Sequence, residues 1–233
     1  MRLGRGVFVL TVPLMSVLTS CATVGTSTFQ SVAPPSMQIE NSVLLDKPFE
    51  EVWDKLVGQL SKSFYVINNI DKASRIINVS LSSEDPDQYI DCGHTHRTFA
   101  YAGQTEEFNY AIAGSSSYKA ATQTTAGNPV TLYVDRKTSL EGRVNVYVAP
   151  EGNGTRVSVN ARYVLTIATS GQSEAHALVG PAVATAPLQE SSSTVTLNTD
   201  QPTTKNLGSA REPLNVTCRS KGRLESDILD FAR

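Results

Sequence analysis

The sequence is poor in charged residues, in cysteine and in long apolar runs. Charged residues make up 18% of the 233, and the net charge is -2, with no block of Lys and Arg. Because nucleic-acid backbones are bound by clustered basic side chains, we expect no nucleic-acid partner. No apolar run reaches the about 20 residues that a membrane-spanning helix needs. A membrane-attached form of this chain therefore requires a different kind of anchor.

Residues 1–20 have the layout of a signal peptide. Arg2 and Arg5 form a positive n-region, and the stretch 7–17 is apolar apart from three interruptions. A run of this length suits the h-region of an export signal and is too short to span a bilayer. We therefore predict that residues 1–20 are removed on export.

The segment Leu18-Thr19-Ser20-Cys21 places an aliphatic residue and two small residues before a cysteine. It resembles the lipobox of bacterial lipoproteins, which implies cleavage before Cys21 and acylation of that residue. Each buried CH₂ contributes about 0.8 kcal/mol to membrane attachment, so two or three acyl chains hold a protein stably. Ala22 instead of Asp follows, which by the same resemblance implies sorting to the outer membrane. We expect the anchored protein to face the periplasm. The alternative is an ordinary secretory signal with a chance cysteine.

Two cysteines, Cys92 and Cys218, remain in the exported chain. Disulfides persist in oxidising compartments, so we predict that these two form one. The alternative is a free thiol or a metal ligand at Cys92. His94 and His96 follow at spacings of two, and alternate residues of a strand share a face, so the three are weak candidates for a metal site. No fourth ligand is identifiable, and we predict no cofactor.

Composition divides the exported chain into segments. Residues 21–42 are rich in Thr, Ser, Pro and Gly, which predicts a lipidated flexible tether. Residues 43–233 are long enough for a single domain. Within that domain, residues of about 170–213 are again rich in Ser, Thr, Ala and Pro, which predicts a mobile insertion. Val195 and Leu197 indicate a short strand inside it.

Hydrophobic periodicity predicts a helix at each end of the domain. The first runs from Asp46, as a cap, to about Ser63, with Pro48 in its first turn. The second starts at about Ser220 and ends the chain. The apolar residues recur at spacings of three and four, as the core-facing side of a helix requires: Phe49, Val52, Trp53, Leu56, Val57 and Leu60 in the first, and Leu224, Ile228 and Leu229 in the second.

Alternating patterns between the helices predict antiparallel strands. Residues 64–67 and 75–81 form one predicted hairpin, and valines 144, 146 and 148 alternate with polar residues before a turn at 150–154. Residues 157–167 alternate in the same way after that turn. The order predicts an α+β fold, a curved antiparallel sheet packed on an N-terminal and a C-terminal helix.

The stretch 46–81 resembles the domains of the lipoprotein C subunit of the outer-membrane β-barrel assembly machine. The shared pattern is a Pro-Phe-x-x-x-Trp helix start, an aromatic-aliphatic strand and an Asp-x-x-x-Arg turn. Its residues here are Pro48, Phe49, Trp53, Phe64, Val66, Asp71 and Arg75. The resemblance covers about 35 residues and implies a helix-grip-like fold more than it implies a function. That family has two such domains, whereas one is predicted here.

The sequence carries no Gly-x-Ser-x-Gly nucleophile motif and no phosphate-binding glycine loop. We therefore expect a non-enzymatic scaffold or accessory subunit of an outer-membrane-associated complex, with an envelope protein as its partner. The alternative is a periplasmic lipoprotein that holds an apolar or amphipathic small molecule. Aromatic residues such as Tyr65, Tyr101 and Tyr110 would then line its groove. A metal-dependent enzyme or metal-binding protein using His94 and His96 is the third hypothesis.

Overall fold

The structure, a computed structural model, describes residues 25–177, 183–208 and 214–233. The described residues contain antiparallel sheets and two α-helices, which confirms the predicted α+β class. In chain order the elements are β1 (Thr26–Val32), β2 (Ser42–Leu45), α1 (Phe49–Leu60), β3 (Val66–Asp71), β4 (Ile76–Ser83), β5 (Ile90–Asp91), β6 (His94–Tyr101), β7 (Gln104–Ala111), β8 (Ser116–Gln123), β9 (Pro129–Glu151), β10 (Gly154–His176), β11 (Val183–Pro187), β12 (Ser191–Asn198), β13 (Thr203–Asn206), β14 (Asn215–Ser220) and α2 (Arg223–Ala232).

A hairpin of two 23-residue strands, β9 and β10, forms the centre of the largest sheet. It turns at Gly152-Asn153, inside the segment where the sequence predicts a turn, and pairs without interruption from Glu151↔Gly154 to Val130↔Ala175. Alternate residues of both strands face the interior, which is the pattern that the valines predict. The hairpin is therefore confirmed, and it continues well beyond the predicted strands.

The half of the hairpin nearest its turn packs against the helices. β4 and β3 extend the sheet beside β9, while β2 and β12 pair with β10. One face of this sheet carries the core, against which α1 and α2 lie. Burial of each large apolar side chain there contributes about 1.5–3 kcal/mol. The opposite face of the sheet is open to solvent.

Helix α1 confirms the first predicted helix, although its start differs in detail. Pro48 is the N-cap residue, and its carbonyl accepts a hydrogen bond from the N–H of Val52 at 3.2 Å. No described side chain caps the helix, so the prediction that Asp46 does so is wrong. Trp53 is buried in the core, as predicted. In α2 the predicted apolar residues Leu224, Ile228 and Leu229 are likewise buried.

The other half of the hairpin carries a second layer. β8 pairs with the first part of β9, and the three-stranded sheet β1-β6-β7 contacts β8. Between these layers Arg97 lies over the rings of Phe29 and Tyr118, 5.0 and 4.5 Å from their centroids. Arg136 donates hydrogen bonds to the carbonyls of Gly114 and Ile112, and burial lowers the pKa of its guanidinium. Buried cations, rather than aliphatic side chains alone, therefore join the two layers.

The prediction of a flexible tether over residues 21–42 is wrong for its central part. β1 pairs with β6 along its whole length, from Thr26↔Ala100 to Val32↔His94. The Ser and Thr residues that suggested a linker also suit a strand with one solvated face, because β-branched Thr favours extended backbone. Composition alone does not separate these two structures.

The prediction of a mobile insertion over residues 170–213 is wrong for the same reason. β10 continues to His176, β11 and β12 both pair with it, and β13 pairs with β14. Val195 and Leu197 lie in β12 and are fully buried, which confirms the short strand predicted there. The described part of this segment is thus integral to the sheets.

Gly93 allows β1 to dock, and its replacement tests that docking. Its φ is +80°, and an added Cβ would lie 1.9 Å from the carbonyl oxygen of Val32. We expect Gly93→Ala to lower the free energy of unfolding by about 1–3 kcal/mol and to increase hydrogen exchange in residues 26–32. Urea unfolding and amide exchange would measure both effects.

Gly103→Ala is the matched control. Gly103 has nearly the same φ, +79°, but an added Cβ would meet nothing within 4 Å. It therefore reports the backbone strain without the steric overlap. Equal losses in the two variants would contradict a close approach of β1 to Gly93.

Candidate binding groove

Cys92 and Cys218 form the predicted disulfide. Their Cα atoms are 4.0 Å apart, their separation in sequence is 126 residues, and both side chains are buried. The bond joins the segment between β5 and β6 to β14, which also pairs with β5. The other predicted modification site, Cys21, lies outside the described residues.

The disulfide removes one of the three residues proposed as metal ligands. With its sulfur bonded to Cys218, Cys92 is not available as a metal ligand. His94 and His96 share the exposed face of β6, and the Nδ1 of His96 lies 2.6 Å from the Oδ1 of Asn109. Across the three described ranges, no group of three or more His, Cys, Asp or Glu side chains is placed to hold a metal ion.

The tyrosines expected to line an apolar groove lie apart. Tyr65 packs against Phe231 in the helical half, with ring centroids 6.1 Å apart. Tyr101 stacks on His176, and Tyr110 stacks on Tyr118 in the other half. The expectation that Tyr65, Tyr101 and Tyr110 line one groove is therefore wrong. They belong to separate elements whose pairing was not evident from their spacing.

A polar groove of 680 Å³ lies on the open face of the sheet. Its floor consists of outward-facing residues of β9 and β10, and one wall is the turn that follows β12. These positions are polar because one strand face packs on the core and the other meets water. The side chains that give the groove its chemistry are Glu141, Arg143, Asn145, Asn160, Arg162 and Asp200.

Two arginines stand side by side at the centre of the floor. Arg143 and Arg162 are directly opposite each other in the β9–β10 register, and both are exposed. Neither guanidinium group has a side-chain hydrogen bond, ion pair or ring contact with any other described residue. Like charges at directly opposed positions of a sheet are destabilising. The arrangement therefore carries an electrostatic cost, since the carboxylates of Glu141 and Asp200 lie in the same groove but form no ion pair with either guanidinium group.

A row of asparagines runs across the sheet beside the arginines. Asn145 is opposite both Asn78 and Asn160, and the side-chain amide of Asn78 donates to the Oδ1 of Asn145 at 2.6 Å. Asn41 donates to the Oδ1 of Asn160 at 3.2 Å and to Asp200 at 3.0 Å. Each amide offers both donors and acceptors. Amides and guanidinium groups thus lie in adjacent rows, about 7 Å apart along the strands.

The wall of the groove is fixed to a buried carboxylate. Thr199 donates to the Oε1 of Glu225 at 2.7 Å and accepts the backbone N–H of Ala161 at 2.8 Å. Glu225, in the first turn of α2, is fully buried and also accepts the hydroxyl of Tyr163 at 2.9 Å. Burial and the nearby Glu225 raise the pKa of the Tyr163 hydroxyl, which keeps it a donor. Helix α2 therefore holds the turn beside the arginines in place.

A second polar cluster lies at the opposite end of the hairpin. The hydroxyl of Tyr133 donates to Glu174 at 3.2 Å, and the Nε2 of His176 lies 3.4 Å from the same carboxylate. Lys119 pairs with Glu106 at 2.5 Å. The cavity among these residues has a volume of 170 Å³. Because these groups form hydrogen bonds and ion pairs with one another, they have less capacity left to bind a ligand than the arginine pair has.

Sequence reasoning identified Arg143 and Arg162 only as polar residues that alternate with buried ones. The signal that pairs them is the strand register, which the two-residue turn determines. Comparisons with protein-family models, with curated proteins and with solved structures find no match for this chain. The chemistry of the groove is therefore argued from its own residues.

Proposed function

We propose that this chain is a lipid-anchored, non-enzymatic envelope protein that acts as a scaffold or accessory subunit of an outer-membrane-associated complex. The signal-like segment and the lipobox-like Leu18-Thr19-Ser20-Cys21 support export and acylation at Cys21. The described residues contain no helix long and apolar enough to cross a membrane. The proposal also keeps the helix-grip-like arrangement implied for residues 46–81.

The docking of β1 brings the domain close to the proposed anchor. Thr26 is five residues beyond Cys21, a span of at most about 18 Å in an extended chain. Next to it, Ser27 accepts the backbone N–H of Ala121 at 3.1 Å, and Ala121 pairs with Thr131 of β9. An acylated Cys21 would therefore hold this end of the hairpin beside the bilayer. Residues 121–131 carry no charge, so headgroups of neither sign would repel them.

The continuous β9–β10 hairpin is the observation that carries the scaffold proposal. Arg143 lies twelve residues beyond Thr131 on the same strand, about 40 Å away at the rise of an extended chain. The helices and the groove lie in the half of the hairpin that includes Arg143. A rigid sheet would thus present them at a set distance from the membrane, where another envelope component can reach them.

The proposal predicts that Cys21→Ala removes the lipid anchor and separates the protein from its partners. Removal of the thiol leaves no site for the first acyl chain, so the variant should be recovered as an uncleaved precursor or as a soluble periplasmic form. Membrane fractionation on a density gradient, followed by in-cell crosslinking and detergent pull-down, would measure this. Defined envelope proteins should be recovered with the wild-type protein and not with the variant.

Ser20→Ala is the matched control, because it keeps a small residue before the cysteine and should remain anchored. A mature Cys21→Ala protein that is still membrane-attached would contradict the lipid anchor. A wild-type protein that is a monomer without partners in every envelope extract would contradict the accessory-subunit function.

A further inference from the structure

The opposed arginines on the open face of the sheet form a positively charged pair that a negatively charged ligand would stabilise. Arg143 and Arg162 are exposed, adjacent and without a counter-charge within hydrogen-bond distance among the described residues. A carboxylate or phosphate bound between them would relieve the repulsion and receive hydrogen bonds from both guanidinium groups. Guanidinium forks match the geometry of both anions.

The surroundings of the arginines indicate what else the ligand carries. Asn145 and Asn160 offer amide donors and acceptors on one side, and Glu141 and Asp200 offer carboxylate acceptors at the edges. Hydroxyl and acetamido groups, which both donate and accept, fit such a set. A long apolar molecule does not, because every side chain of the floor except those of Ala161 and Val164 ends in a polar group.

One aromatic side chain completes the platform. Tyr147 lies on the same face as Asn145, two residues further along β9, and is 46% exposed. An exposed ring at the edge of a polar platform provides an apolar face of the kind against which sugar rings pack, with its hydroxyl in water. The distance from the arginine row to Tyr147 is four residues, about 13 Å, which spans two to three sugar units.

We propose that this groove binds an anionic saccharide, a short glycan segment bearing a carboxylate or a phosphate. The anion lies between Arg143 and Arg162, and sugar hydroxyl and acetamido groups contact the asparagine row and the two carboxylates. The location of this saccharide in the envelope rests on the proposed function, whereas the binding itself does not. The anion has two sources in an envelope, carboxylate-bearing cell-wall glycan and phosphate-bearing lipid saccharide.

Binding is tested with the full mature protein purified in detergent. The probes are a disaccharide-tetrapeptide fragment of peptidoglycan, N-acetylglucosamine 1-phosphate and the neutral N,N′-diacetylated form of chitobiose (below, chitobiose), titrated by calorimetry at low and high salt. We expect one of the two anionic probes to bind at least about tenfold more tightly than chitobiose, with an affinity that falls as salt rises. The probe that binds identifies the source of the anion.

Arg143→Gln and Arg162→Gln should each weaken that binding by about tenfold or more, since each removes charged hydrogen bonds to the anion. Without ligand, both variants should unfold at the same temperature as the wild-type protein or higher, because the repulsion between the opposed arginines is gone. Lys137→Gln is the matched control: it removes one exposed positive charge from the same face of β9, six residues away.

The inference would be overturned by the absence of binding by both anionic probes, by equal binding of chitobiose, or by unchanged affinity in both arginine variants. Loss of affinity in Lys137→Gln equal to that in Arg143→Gln would also overturn it, because it would indicate a general effect of surface charge. If binding holds while mature, cleaved Cys21→Ala stays membrane-attached, only the proposed lipid anchor fails.

Discussion

Cys92→Ser and Cys218→Ser are each expected to lower the free energy of unfolding by about 4–5 kcal/mol. The disulfide links residues 126 positions apart, so its loss frees a long loop in the unfolded chain. Because both sulfurs are buried, each single variant also places a hydroxyl and a thiol in the core in place of the bond. Urea unfolding of the oxidised proteins would measure the loss.

The relation between the variants is the sharper part of this prediction. Once one cysteine is replaced, the bond is gone, so the double variant should lose little more than either single variant. Wild-type protein unfolded under reducing conditions should show a similar loss. Additive losses in the double variant would mean that Cys92 and Cys218 do not stabilise the protein as a pair.

Glu225→Ala is expected to cost about 3–5 kcal/mol of stability. The carboxylate is fully buried and accepts hydrogen bonds from the hydroxyls of Tyr163 and Thr199, with Ser220 3.3 Å from both of its oxygens. Its removal leaves these hydroxyls buried without their acceptor and opens a cavity beneath α2. Thermal or urea unfolding would measure the cost.

Two further variants separate the causes of that cost. Glu225→Gln keeps the volume and one oxygen acceptor, so its loss should be about half as large. Asp230→Ala removes an exposed carboxylate from the same helix, where it pairs with Arg233, and should change stability by less than about 0.5 kcal/mol. A Glu225→Ala protein as stable as Asp230→Ala would contradict a structural role for the buried cluster.

Substitution of Glu225 should also affect the groove, because this residue connects the core to the wall of the groove. Thr199, which donates to Glu225, belongs to the turn that walls the arginine pair. Its release should loosen that wall while leaving the β9–β10 pairing intact. Increased hydrogen exchange around residues 198–201 in Glu225→Gln, at a denaturant concentration where the protein stays folded, is therefore expected.

The elements predicted correctly are those whose pattern depends on burial. The apolar stripe of α1 and the alternating valines of β9 have periods that match one buried face, so the sequence alone indicates helix and strand. The segments predicted wrongly are residues 26–32 and, apart from the short strand at Val195 and Leu197, residues 183–206, and they consist mainly of Ser, Thr, Ala and Pro. Their strands pair through backbone hydrogen bonds, which every residue except proline can donate, so these strands show little periodic pattern in the sequence.

The floor of the groove could partly be predicted from the sequence. With Gly152-Asn153 fixed as a two-residue turn, Glu151 lies opposite Gly154, and eight steps along each strand bring Arg143 opposite Arg162. The wall of the groove could not be predicted from the sequence. Thr199 comes to the groove because β12 pairs with β10, and no local signal relates these strands. Likewise, Glu225 has the sequence position of an ordinary exposed first-turn acid, and only the packing of α2 buries it.

The antiparallel pairing of β1 with β6 has a mechanical consequence. A pull on the N-terminal end of β1, directed along the strand, loads all of its hydrogen bonds to β6 together, because those bonds lie perpendicular to the strand axis. Such a shear geometry resists force far better than peeling the strand away one bond at a time. From β6 the load passes through Gly93 to Cys92 and across the disulfide to β14, immediately before α2. Tension at one end of the molecule is thus carried by a covalent link into its helical core.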